Sequence, residues 1–227
     1  MSFPSTPEDI RRGNQGFHVI AGLPRVIGDI DGTLVPITTP STHGPRYICC
    51  KGYPALNVMV ECDAEGVFLD VVATWPGSTH DAFVWENSGL CRAAEGGGFG
   101  GCWLLGDSGF PLRPFLLTPY HHAQTEPQAS YNRAHRLTRA VVERDIRVWK
   151  QSFRCLSKGA RGLQLHPRKC CALLHNMALR ENIQLPDNEG LQDRDDAEAE
   201  DNFPVIQDLH PAGQQVRQEL GDNLFGP

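Results

Sequence analysis

The sequence has no apolar run approaching the roughly 20 residues that a membrane-spanning helix needs, so no membrane role is expected. Its opening, from Met1 to Asp9, has no basic segment followed by an apolar one, and so lacks the form of a secretory signal. No internal repeat is present. Eight cysteines occur without a single Cys-x-x-Cys, and two pairs are adjacent, Cys49-Cys50 and Cys170-Cys171. Adjacent cysteines do not easily bond each other, and this spacing matches no zinc site, so reduced and mostly buried thiols in an intracellular protein are expected. The glycine-rich run from Gly96 to Gly101 is not followed by Lys-Ser/Thr, which excludes a phosphate loop. Positive charge is not in excess either. The formal net charge of −6 does not announce a nucleic-acid binder.

What remains is ordinary in bulk and informative in detail. The 227 residues suit one domain, or one domain with tails, and a hydrophobic fraction of 40% is enough to build a core. Charge is uneven: residues 131–169 are rich in Arg and Lys, whereas residues 187–201 are dominated by Asp and Glu. Residues 186–201 read as disordered, within an acidic C-terminal tail spanning 183–227.

Residues 1–24 read as a lead-in, with a helix start at Ser5-Thr6-Pro7-Glu8 and a break at Gly22 and Pro24. Residues 25–37 form a first strand, whose apolar run gives way to carboxylates and a Gly-Thr turn at Asp29-Ile30-Asp31-Gly32-Thr33. Two β-prone runs, 56–62 and 67–74, flank a hairpin turn at Asp63-Ala64-Glu65-Gly66. A helix through Ala82 to Trp85 is expected, capped by Ser78 or Thr79. Short strands follow at 102–107 and around 115–118. A long helix is expected over 132–154, with Arg136, Arg139, Glu143 and Arg147 on one face. A second helix over 167–182 has Cys171, Leu174, Met177 and Ala178 as its apolar spacing. A short amphipathic helix closes the chain around 216–224.

Three acids stand at the ends of apolar segments or on the polar face of a helix: Asp31, Asp107 and Glu143. Asp81 stands at a helix start, where an acid also serves as an ordinary cap. Two Mg²⁺ or Mn²⁺ ions about 4 Å apart activate a water and stabilise a leaving phosphate oxygen, and such hard cations take carboxylate oxygens. In that arrangement Asp31 bridges both ions, and Asp107 and Glu143 each hold one. The string Asp29-Ile30-Asp31-Gly32-Thr33-Leu34-Val35 also resembles the signature loop of haloacid-dehalogenase-type phosphatases, where the first Asp is the nucleophile. Against that reading, no second acid closely follows Asp107, and the strands after Asp31 look like a hairpin instead of a βαβ alternation.

Six further strings occur in order: Lys51 to Asn57, Trp75-Pro76-Gly77-Ser78-Thr79-His80-Asp81, Leu104 to Phe110, Val142-Glu143-Arg144, Phe153-Arg154-Cys155-Leu156 and Leu174-His175-Asn176. Together they resemble the PIF/Harbinger family of transposases, over residues 3 to 182. The resemblance implies an α/β, ribonuclease-H-like fold: a mixed five-stranded sheet flanked by helices, first three strands antiparallel, with a DDE nuclease domain over 25–182. It implies divalent-metal-dependent cleavage of DNA, with Asp31, Asp107 and Glu143 as the catalytic acids and Asp81 as a further metal ligand. It also implies a Myb/SANT-like nuclear partner protein and residence in nucleus and cytoplasm. A catalytically silent nuclear module, binding DNA or that partner, is the alternative.

Arg136 and Arg139 are candidates both for DNA phosphates and for pairing with the acids. His80 is read as a surface or capping residue, His175 as a packing residue, and Trp149 and Phe153 as core. Three departures from the family pattern stand out. Asp29 replaces an apolar or small residue and would share a strand face with Asp31. Asp145 interrupts an apolar pair after Glu143. The helical region that family members carry before the first catalytic strand is almost absent, so incomplete packing on the sheet and weak DNA affinity are expected.

Overall fold

The computed structural model describes residues 3–4, 6–157, 167–181, 183 and 209–226. The first helix, α1 (Pro7–Ala21), begins where Thr6 accepts a bond from the Asp9 backbone N–H and ends at Gly22 in the left-handed conformation. Strand β1 (Val26–Pro36) pairs antiparallel with β2 (Ala55–Cys62), which pairs antiparallel with β3 (Phe68–Pro76). On the other side β1 runs parallel to β4 (Trp103–Leu105), and β4 parallel to β5 (Leu116–Leu117). The sheet order is β3-β2-β1-β4-β5. This is the mixed five-stranded sheet with three antiparallel leading strands.

Gly32-Thr33 is not a turn. β1 continues straight through it, with Asp31 opposite Val60 and Thr33 opposite Val58, because the β2 edge offers antiparallel partners as far as Pro36. Helix α2 (Asp81–Glu86) has His80 at its N-cap position and no side-chain cap bond, so neither Ser78 nor Thr79 caps it. A short helix α3 (Gly89–Glu95), capped by Ser88, precedes the glycine-rich loop. The long helix α4 spans Glu126–Ser152 and starts six residues earlier than expected. Pro127 lies in its first turn, where a missing N–H costs nothing, and Thr125 caps it.

Helix α5 (Pro167–Arg180) turns a different face inward from the one its apolar spacing suggests. Cys171, Ala172, His175 and Asn176 are buried, while Leu174 and Met177 are more than half exposed. The cause is a pair of hydrogen bonds to edge strand β3. The Phe68 N–H donates to Asn176 Oδ1 at 2.8 Å, and Asn176 Nδ2 donates to the Phe68 carbonyl at 2.7 Å. Helix α6 (Pro211–Phe225) is longer than the expected 216–224, and the acidic stretch 186–201 lies outside the described residues.

Three apolar clusters hold the layers together. Val58, Val60, Phe68, Ile146 and Trp149 join β2 and β3 to α4. Ile27, Ile30, Met59, Trp85 and Leu104 join the opposite face of the sheet to α2 and α3, with Phe3 and Ile10 packed against them. Phe17, Val26, Leu117, Tyr131 and Leu220 join α1, α4 and α6 around β1 and β5. No helix among the described residues is long and apolar enough to cross a membrane.

Candidate active site

The parallel pairing of β1 with β4 sets Asp29 opposite Leu105. Asp31 and Asp107 each lie two residues further on, so they emerge side by side at the same sheet edge. Asp81 arrives from the start of α2. Asn57 holds it there: its Nδ2 donates to Asp81 Oδ1 at 2.6 Å and to the Thr79 carbonyl at 2.9 Å. Gly32 makes room for it, since a Cβ at that position would overlap the Asp81 carboxyl group. Gly109 does the same on the other side. A Cβ there would stand 3.1 Å from Asp107 Oδ1 and 3.5 Å from Asp81 Oδ2, so both carboxylates border one bare backbone position. Glu143 reaches in from α4 with a side chain 50% exposed. All four acids line one cleft of about 360 Å³, together with Lys51, Asn57, His80, Arg139 and Arg147.

Arg139 is the centre of the electrostatics. Its Nη2 lies 3.2 Å from Asp31 Oδ1, its Nη1 3.1 Å from Glu143 Oε1, and its Nε 3.6 Å from Asp29 Oδ1. Burial opposes its charge, but Asp31, Asp29, Asp107 and Glu143 outweigh that and hold the guanidinium more firmly protonated than usual. Burial raises the Asp31 carboxyl to about 8; Arg139 pulls it down, while Asp107, Asp81 and Glu143 push it further up. Asp29 is fully buried and is raised well above the ordinary range, again by burial first. As strand alternation requires, Asp29 shares the Arg139 face with Asp31.

The two arginines that were candidates for either role separate. Arg139 pairs with the acids, whereas Arg136 is exposed and has no ion-pair partner among the described residues. Asp145 faces away from the cleft, pairs with Arg144 at 3.2 Å and abuts Gly66 in the β2–β3 turn. Trp149 is fully buried against Phe68, and His175 is fully buried, stacked on the same ring. The phosphatase reading loses its nucleophile, because Asp29 has no access to the cleft and the strand does not end there.

The donor types suit a hard divalent cation: four carboxylates on one polar cleft, with Asp31 raised by burial first and then by the neighbouring like charges. Among the described residues, no three His, Cys, Asp or Glu side chains are close enough to be a ready ligand set. Arg139 and Asn57 explain the spacing, since their N–H groups hold Asp31, Glu143 and Asp81. Asn57 escaped notice as a site residue in the sequence. Its signal was there: a lone amide in the otherwise apolar run Ala55-Leu56-Asn57-Val58-Met59-Val60.

A protein-family model described as "DDE superfamily endonuclease" matches residues 30–179. The chain is 33% identical over 224 residues to "Putative nuclease HARBI1" of Bos taurus and of Homo sapiens, covering 96% of this chain and 64% of each relative. It is 38% identical over 183 residues to the Mus musculus protein of that name, covering 78% of this chain and 52% of the relative. The chain thus spans between about half and two thirds of the length of these relatives. No solved structure matches. With the matched segment running from β1 into the last turn of α5 and containing Asp31, Asp81, Asp107 and Glu143, this chain belongs to the DDE superfamily endonuclease family.

Proposed function

We propose that the chain is a transposase-derived nuclease core that hydrolyses DNA phosphodiester bonds with Mg²⁺ or Mn²⁺ held by Asp31, Asp81, Asp107 and Glu143. One observation carries the reading: four acids from four separate elements meet in one cleft, although 112 residues separate the first from the last. Bound there, the ions supply an activated water and charge stabilisation for the leaving oxygen. The protein's own part is to hold the acids. β1 and β4 fix Asp31 and Asp107 through backbone pairing, Asn57 orients Asp81, and α4 presents Glu143. Lys51 and Arg147 at the cleft and exposed Arg136 on the same helix supply the positive charge that a DNA backbone needs, despite the acidic net charge.

A second reading is favoured by a specific observation. The acids are already held by Arg139 and Asn57, as they would be in a silent module that binds DNA or a Myb/SANT-like partner in the nucleus. Nicking of supercoiled plasmid with Mn²⁺ separates the two. The nuclease reading expects cleavage by the wild type and a loss of about a thousandfold in Asp107→Ala, as removal of a metal ligand implies. Equal and metal-independent behaviour of the two proteins leaves the interaction module.

A further inference from the structure

Five carboxylates lie in or beneath one cleft that also holds the Arg139 guanidinium, and they are not equivalent. Asp31, Asp81, Asp107 and Glu143 line the cleft; Asp29 lies beneath it with no exposure. Arg139 spends its two terminal nitrogens on Asp31 and Glu143, at 3.2 and 3.1 Å. Its third nitrogen, Nε, stands 3.6 Å from Asp29 Oδ1, beyond hydrogen-bond distance. Asp29 Oδ1, Asp29 Oδ2 and Arg139 Nε are all buried, and none has a hydrogen-bond partner. Three buried polar atoms facing one another and unbonded are costly in a protein interior. They mark a fork that is present but not closed.

A cation in the cleft would change that balance. It needs the Asp31 and Glu143 oxygens that the guanidinium now holds, and like charges at such distances repel strongly where water is scarce. The guanidinium has one acid to retreat to. Asp29 offers both oxygens, and a planar guanidinium bonds a carboxylate through two parallel N–H groups.

We propose that Arg139 is a resident substitute cation, bonded to Asp31 and Glu143 in the metal-free protein, and that metal binding moves its guanidinium onto Asp29. Asp29 is then a positioning residue that never touches the metal and acts through Arg139. This rests on the metal reading of the cleft given above.

The test is a double-mutant cycle on Mn²⁺ affinity, measured by calorimetry on the full chain as wild type, Asp29→Asn, Arg139→Gln and the double variant. Folding is checked by circular dichroism. Asp29→Asn is expected to weaken binding about tenfold, because Arg139 loses its alternative anion and stays on the ligands. Arg139→Gln is expected to tighten it. In the Arg139→Gln background, Asp29→Asn is expected to change affinity by less than about twofold. Wild-type binding with an Asp29→Asn effect equal in both backgrounds overturns the proposal, since Asp29 would then act only as added negative charge. Absence of binding in all four proteins overturns the metal reading, and this inference with it. Binding that appears only once Arg139 is replaced also overturns the proposal, since the wild-type guanidinium would then not yield its ligands by moving to Asp29. If Arg139→Gln does not fold, the arginine Nε–H resonance of the wild type is followed during Mg²⁺ titration. The proposal expects a downfield shift and slowed exchange as the bond to Asp29 closes, and an unmoved resonance overturns it.

Discussion

At the residue scale, the cleft depends as much on what is missing as on its acids. Gly32 sits in the middle of β1, where a glycine costs strand stability, and its use is to let the Asp81 carboxyl lie against the backbone. Gly32→Ala adds one methyl and forces Asp81 away from Asp31 and Asp107. The expected outcome is a loss of Mn²⁺ affinity of at least about tenfold, about 1.4 kcal/mol, with an unchanged far-ultraviolet spectrum. Calorimetry beside circular dichroism checks this. Equal affinity would mean that Asp81 is not among the ligands. Asn57 belongs to the same scale: a single amide fixes Asp81 through two bonds that no hydropathy pattern reveals.

At the scale of elements, α5 shows how a polar contact overrides apolar spacing. Among the described residues no strand pairs with β3 on its outer edge, so the Phe68 N–H and carbonyl need partners from elsewhere. Asn176 supplies both, and that bond sets the rotation of the helix and leaves Leu174 and Met177 outward. His175 is thereby buried on the Phe68 ring, and burial lowers its pKa from 6.5 to about 4. The unfolded chain therefore binds more protons than the folded one between those two values. The contribution of neutral His175 is fully present above pH 6.5 and is lost as pH falls to 4. The drop in urea midpoint between pH 7 and pH 5 is accordingly expected to be smaller in His175→Phe, which keeps the stack and cannot titrate. The same drop in both proteins would exclude His175 as a source of acid sensitivity.

At the scale of the whole molecule, α6 joins the C-terminal end of the described chain to the sheet and α4. Leu220 is buried with Tyr131 and Leu117, and Arg217 donates to the Thr118 and Pro119 carbonyls at 3.0 and 2.9 Å while lying over Tyr120. Leu220→Ala is expected to cost about 2–4 kcal/mol of unfolding free energy, in a single cooperative transition reported alike by fluorescence and circular dichroism. Two separated transitions would show that α6 folds apart from the sheet. α1 acts similarly at the other end, since Phe17 is fully buried in the same cluster and Gly13 passes close to the Ile27 backbone.

Strand alternation, hairpin chemistry and helical spacing were enough to read the five strands and the long helix from the sequence, because these are local regularities, whereas the four acids were drawn into one set by the resemblance of the ordered strings to the PIF/Harbinger family. The face shared by Asp29 and Asp31 was legible for the same reason. Other features depend on partners far along the chain. The continuation of β1 through Gly32-Thr33 depends on β2, the rotation of α5 on an unpaired strand edge, and the start of α4 on a proline that is harmless only in a first turn. Spacing on α4 placed Arg136 and Arg139 alike. Only the packing of α4 on β1 buried Arg139 among the carboxylates and left Arg136 in solvent, because desolvation and charge neutralisation depend on what lies across the interface and not on neighbours in the chain.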